Sequence, residues 1–129
     1  MKIEGGCLCG QVRYQADTEP VFQAICHCRD CLKSTGAGYF PGLGVSKTSL
    51  TITGELTAFA KAADSGATAT RRFCPVCGTT VMDENGSGIS VLAAGTLDDP
   101  SLFRPQFVVF ARSRPHWGAL AMPLEERGP

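Results

Sequence analysis

The chain has 129 residues, 43% hydrophobic and 19% charged, ordinary globular proportions that exclude a disordered chain. Twelve basic residues balance twelve acidic ones, which excludes the basic footprint of a nucleic-acid binder. No stretch approaches the roughly 18 apolar residues of a membrane span, and Met1 to Cys7 lacks the apolar core of a secretory signal, so a cytoplasmic location is expected.

In chain order, Gln11 to Ala16 alternates Val12, Tyr14 and Ala16 with polar partners, the period of a half-buried strand. Val21 to Ile25 is a second apolar run. Residues 28–34 have room for one or two helical turns. Tyr39, Phe40 and Val45 lie in a glycine-punctuated extended stretch, and all three aromatics Tyr39, Phe40 and Trp117 read as core. Leu50 to Thr53 and Leu56 to Phe59 flank Gly54-Glu55, a pattern that predicts a hairpin. Asp64 to Thr70 reads as a flexible surface loop. Thr79 to Met82, Ile89 to Ala93 and Phe107 to Phe110 complete the strands. Asp98-Asp99-Pro100 predicts a single helical turn with a carboxylate cap and proline at its first position. Glu125 to Pro129 reads as a loose tail. The expectation is one domain over residues 1–129, mainly β, in several small antiparallel sheets clamped by zinc, with only short helical turns.

The clamps are expected from the cysteines. There are seven: Cys7 and Cys9; Cys26, Cys28 and Cys31; Cys74 and Cys77. Gaps of one or two residues let neighbouring thiolates converge on one ion, and such thiolate sets belong above all to zinc. An odd count in a reducing compartment argues against a disulfide framework. Two closed tetrahedra need eight ligands, so seven cysteines divide as four and three. The four make a closed site and the three a site with one open position. A four-thiolate zinc carries −2 and a three-thiolate zinc −1, taking the formally neutral chain to about −3. Spacing leaves the grouping open. Cys28, Cys31, Cys74 and Cys77 would make a zinc ribbon; alternatively Cys7 and Cys9 join Cys74 and Cys77, leaving the central trio together. Gly10 after Cys9 and Gly78 after Cys77 suit knuckle turns and favour the second grouping.

Gly6-Cys7-x-Cys9-Gly10, Cys26-His27-Cys28-x-x-Cys31, Arg72-x-Cys74-x-x-Cys77-Gly78-Thr79, Gly95-Thr96-Leu97-Asp98-Asp99-Pro100 and the aromatic segment ending at Trp117 resemble the glutathione-dependent formaldehyde-activating enzyme (GFA) and centromere protein V family over nearly the whole chain. The resemblance implies a GFA-type all-β, zinc-clamped fold. It implies Cys7, Cys9, Cys74 and Cys77 as structural zinc ligands, and Cys26, Cys28 and Cys31 as catalytic zinc ligands, hence two Zn²⁺ per chain. It implies a carbon–sulfur lyase that condenses formaldehyde with glutathione. Val108 departs from the pattern, standing roughly where several family members carry histidine.

An open zinc with three sulfurs suits an incoming small-molecule thiol such as glutathione as its fourth ligand, held as thiolate beside an aldehyde carbon. His27, between two ligands, reads as packing or surface, with a supporting role beside the metal as the alternative. His116 reads as exposed. Arg71 and Arg72, like Arg29 and Lys33, read as offsetting thiolate charge or as partners of an anionic substrate. Asp98 and Asp99 read as turn caps. Two rivals to the enzyme remain from the sequence: a zinc-stabilised binding or scaffolding module, and an oxidisable thiol cluster for metal delivery or redox sensing.

Overall fold

The computed structural model describes residues 1–63, 66–118 and 124–127. Ten strands dominate: β1 Lys2–Gly6, β2 Arg13–Asp17, β3 Phe22–Cys26, β4 Phe40–Ser46, β5 Leu50–Thr53, β6 Thr57–Ala62, β7 Thr68–Phe73, β8 Thr80–Glu84, β9 Ile89–Ala93 and β10 Phe107–Val109. Among the described residues one α-helix, α1 Arg29–Thr35, joins them, with four single turns of 3₁₀ helix. The mainly β expectation holds. The strands form a three-stranded sheet, β1-β2-β5, and a seven-stranded sheet, β10-β3-β4-β9-β8-β7-β6. Every pairing is antiparallel except β10 against β3.

The two sheets meet across the core. Val12, Tyr14 and Ala16 are buried while Arg13 and Gln15 are exposed, the alternation expected of a strand with one wet face. Ile3 joins them from β1. They pack on Leu43 and Val45 of β4, Met82 of β8 and Leu92 of β9. Leu43 pairs with Leu92, and Leu92 with Met82, so these three share one sheet face and leave water completely. Each side chain of that size contributes about 1.5–3 kcal/mol by burial.

The opposite face of the large sheet is different. A single cross-strand row runs Phe22, Gly44, Val91, Asp83, Arg71, Phe59, each paired with the next. Cys26 pairs with Phe40 on the same face, two residues along from the Ala24–Gly42 pair. Helix α1 crosses this face, tied to β6 by Asp30 and Lys61 (2.6 Å). Gly42 and Gly44 keep its floor flat: a Cβ at Gly44 would lie 2.6 Å from the Phe22 ring.

Four local expectations are corrected. Leu50–Thr53 and Leu56–Phe59 do not form a hairpin; β5 pairs with β2 and β6 with β7. Gly54 has φ +89, and a Cβ there would sit 2.1 Å from the Gln11 carbonyl oxygen. The glycine therefore passes the chain from one sheet to the other, while Leu50 and Leu56 turn to the core. The stretch expected as a loop over 64–70 is shorter, because Thr68 to Thr70 already pair with Ala62, Lys61, Ala60 and Glu84; Asp64 and Ser65 lie outside the described residues. Trp117 is 49% exposed rather than core, its ring edge set against Gly38. Phe40 is buried and Tyr39 half-buried, as expected. Asp98 does not cap the turn: it forms a two-pronged ion pair with Arg13, and Asp99 alone caps Pro100–Leu102 through the Ser101 N–H (3.1 Å). Of the C-terminal tail, Glu125 and Arg127 are exposed and pair with each other, while residues 128–129 lie outside the described set.

Replacing Gly54 by alanine forces a side chain into both the left-handed region and the Gln11 carbonyl. The expected loss is about 2–3 kcal/mol or more, read as a lower urea midpoint of the metal-loaded protein with an unchanged slope.

Candidate metal centres

The seven cysteines are all free thiols, and the chain gathers them into two sets. The Sγ atoms of Cys7, Cys9, Cys74 and Cys77 lie within 4.8 Å of one another, and those of Cys26, Cys28 and Cys31 do likewise. The ribbon grouping of Cys28 and Cys31 with Cys74 and Cys77 is not the arrangement found. Cys7 and Cys9 sulfurs are 3.6 Å apart, and those of Cys9 and Cys74 are 3.8 Å apart. A disulfide needs about 2.05 Å. Four sulfurs about 2.3 Å from a central zinc stand about 3.8 Å apart. The spacing fits a metal and not a cystine.

The four-sulfur set is built from two similar loops. Cys7 N–H donates to the Val12 carbonyl and Cys74 N–H to the Thr79 carbonyl, both at 3.0 Å. In each, a glycine in the left-handed region closes the turn onto the cysteine carbonyl: Gly10 (φ +83) to Cys7 and Gly78 (φ +75) to Cys74. Backbone N–H groups then point at sulfur, from Val12 to Cys7 (3.2 Å) and from Val76 to Cys74 (3.4 Å). Thr79 joins the two loops. Its Oγ1 accepts the Leu8 N–H (3.1 Å), which leaves the hydroxyl proton for Cys77 Sγ (3.2 Å). The Thr79 hydroxyl, with further N–H donors, brings Cys77 down to about 5. The Val12 N–H likewise draws Cys7 below the usual thiol range. Cys9 receives the Gln11 backbone bond, yet burial and its sulfur neighbours push it up to about 11. Four adjacent thiols cannot all ionise unaided; a divalent cation removes that conflict.

The three-sulfur set spans the junction of β3 and α1. Cys26 ends the strand. Cys28 is the helix N-cap, with extended backbone and its sulfur accepting the Cys31 N–H at 3.3 Å. Cys31 follows in the first turn, buried. Hydrogen bonding from Cys31 lowers Cys26 to about 6, while burial raises Cys28 and the Cys26 sulfur raises Cys31. Three sulfurs this close cannot all ionise unaided, again a donor set that suits a cation.

The family model for glutathione-dependent formaldehyde-activating enzyme matches residues 2–113. The chain belongs to this family. Its fold is also that of a crystal structure of a Rhodobacter sphaeroides protein, with TM-score 0.63 over 82% of this chain and 99% of that one at 19% identity. No curated protein matches the sequence.

The other residues singled out from the sequence divide between support and surface in this GFA-family chain. His27 is 2% exposed. Its Nδ1–H donates to the Gly38 carbonyl (2.8 Å), Nε2 accepts from Arg114 Nε (3.2 Å), and its ring meets Tyr39 edge-on. Both nitrogens are occupied, so the ring braces the polypeptide behind the trio. His116 is exposed. Arg72 pairs with Glu84, which also takes Lys47 (2.8 Å). Arg71 points the other way, on the Cys26 face, where its Nε is 3.7 Å from Asp83 Oδ1. Burial raises the Asp83 carboxyl to about 6 against the pull of Arg71, and the nearby Cys26 adds to the rise. Val108 pairs with Ile25, one position off the Val109–Cys26 pair, so it lies on the sheet face away from Cys26. Sequence reading missed Asp83, Thr79 and Arg114. The only signal for Thr79 was its place just after the Cys-Gly of the second loop.

Thr79→Val keeps the shape and removes both bonds of the bridging hydroxyl. We expect a loss of about 1–2 kcal/mol and faster metal release to a chelator, both measurable on the purified metal-loaded protein.

Proposed function

We propose that each cysteine set holds one Zn²⁺: a structural ion on Cys7, Cys9, Cys74 and Cys77, and an ion with an open position on Cys26, Cys28 and Cys31. We read the whole chain as one domain working in the cytoplasm, where thiols stay reduced. The reading rests on one observation, the partition of seven sulfurs into a closed four and an incomplete three. When bound at the three-sulfur site, zinc supplies a fourth position that holds a thiol in its thiolate form.

The reaction this suits is carbon–sulfur bond formation between a thiol and an aldehyde, with glutathione and formaldehyde as the pair named by the family. The thiol gives up its proton; its sulfur lone pair attacks the carbonyl carbon; the π pair moves to oxygen, which takes a proton. Thiol and aldehyde sum to an S-hydroxyalkyl adduct with nothing left over, and the reverse is a carbon–sulfur lyase reaction. This chain's residues contribute positioning. Cys28 and Cys31 are fixed by the first turn of α1, Cys26 by the β3–β4 ladder, and His27 by Gly38 and Arg114.

The division of labour is testable by substitution. Serine is itself a good N-cap, so Cys28→Ser is expected to keep the fold, lose one labile zinc of two and lose adduct formation. Cys74→Ser is expected to unfold the chain, because a structural zinc is worth of order 10 kcal/mol, comparable to a domain's whole margin of about 5–15 kcal/mol. Equal loss of fold from both substitutions would refute the assignment.

A further inference from the structure

Beside the trio, between α1 and the β6–β7 end of the large sheet, lies a pocket of about 290 Å³ lined by Asp30, Lys33, Ser34, Phe59, Lys61 and Arg71. Its floor is the Phe59–Arg71 cross-strand pair, with Lys61 two residues along β6 on the same face. Its wall is α1, where Asp30 precedes Cys31 and Ser34 Oγ donates to the Cys31 carbonyl at 3.2 Å. The pocket and the trio therefore share one helix and one sheet face.

The charge in this pocket is not closed. Three cations, Lys33, Lys61 and Arg71, face two carboxylates, Asp30 and Asp83. Lys61 is matched by Asp30 at 2.6 Å. Arg71 is only half matched: its Nε and Asp83 Oδ1 are both shielded from water, 3.7 Å apart, and neither has a hydrogen-bond partner. Buried polar atoms are normally satisfied, so such a pair calls for an explanation. Lys33 has no ion-pair partner among the described residues and lies exposed at the rim. A ligand carboxylate would give the guanidinium a full acceptor.

We propose that this pocket receives the carboxylate of the thiol substrate, so that Lys33, Lys61 and Arg71 select anionic thiols for the Cys26–Cys28–Cys31 site. The inference rests on reading the trio as a thiol site. Arg71, beside Asp83 of the sheet, is the central anchor, and Phe59 lines the same pocket.

The test compares two thiols of equal length on the zinc-loaded protein by calorimetric titration: 3-mercaptopropionate and 3-mercapto-1-propanol. The carboxylate is expected to bind about tenfold more tightly or better, the increment of a charge-assisted contact. Lys33→Gln and Lys61→Gln, both at solvent-exposed side chains, are expected to shrink that ratio several-fold each, with zinc content reporting that the variants remain folded. High salt is expected to shrink it too. Equal affinities in the unsubstituted protein would overturn the selectivity while leaving the thiol site standing. A preference untouched by either substitution would overturn the assignment to this pocket. Binding of neither thiol would overturn the thiol-site reading and the inference with it.

Discussion

The constraint on which the fold turns is the gathering of seven sulfurs into two sets, each within a metal's reach. Cys7 and Cys9 follow β1 of the small sheet, whereas Cys74 and Cys77 sit between β7 and β8 of the large one. A single cation across these four would therefore staple the two sheets over the core, closing a loop of more than sixty residues. Fixing such distant segments costs chain entropy that a core this small offsets poorly. The backbone is arranged for such an ion: two similar turns aim N–H groups at sulfur, and the Thr79 hydroxyl couples one turn to the other.

The large sheet then divides structure from chemistry. Leu43, Met82 and Leu92 spend one face on the core. The other face carries Cys26 together with Phe22, Gly44, Val91, Asp83, Arg71 and Phe59. Glycines flatten it and α1 roofs it, which leaves a groove beside three sulfurs rather than a second core. An ionisable pair inside an otherwise apolar row is costly, and Arg71 and Asp83, unlike Arg72 and Glu84, carry that cost on the face that holds Cys26.

Much of this was legible in the sequence. The alternation of Val12, Tyr14 and Ala16 gave β2, the turns read over 28–34 became α1, and Asp99-Pro100 marked a 3₁₀ turn. Cysteine spacing left the grouping open, and Gly10 and Gly78 pointed to the one that the fold adopts. What escaped has physical causes. β1 reads Lys-Ile-Glu-Gly-Gly, with one apolar side chain, because the Tyr14 ring fills the place where a Cβ at Gly5 would lie, 2.3 Å from its hydroxyl. β6 is exposed along its length, so no periodicity marks its continuation from Phe59 to Ala62. Gly54 looked like a hairpin glycine because its positive φ suits a turn equally well. The Arg71–Asp83 pair is created by strand register, which a sequence does not display.

Zinc counting joined to X-ray absorption on the protein as purified tests the central claim most directly. Two ions per chain are expected, with about 3.5 sulfur neighbours per ion at about 2.3 Å and a light-atom neighbour making up the remainder. Adding a thiol ligand should raise the sulfur count towards four. A single ion per chain, or sulfur–sulfur distances near 2.05 Å, would contradict the account.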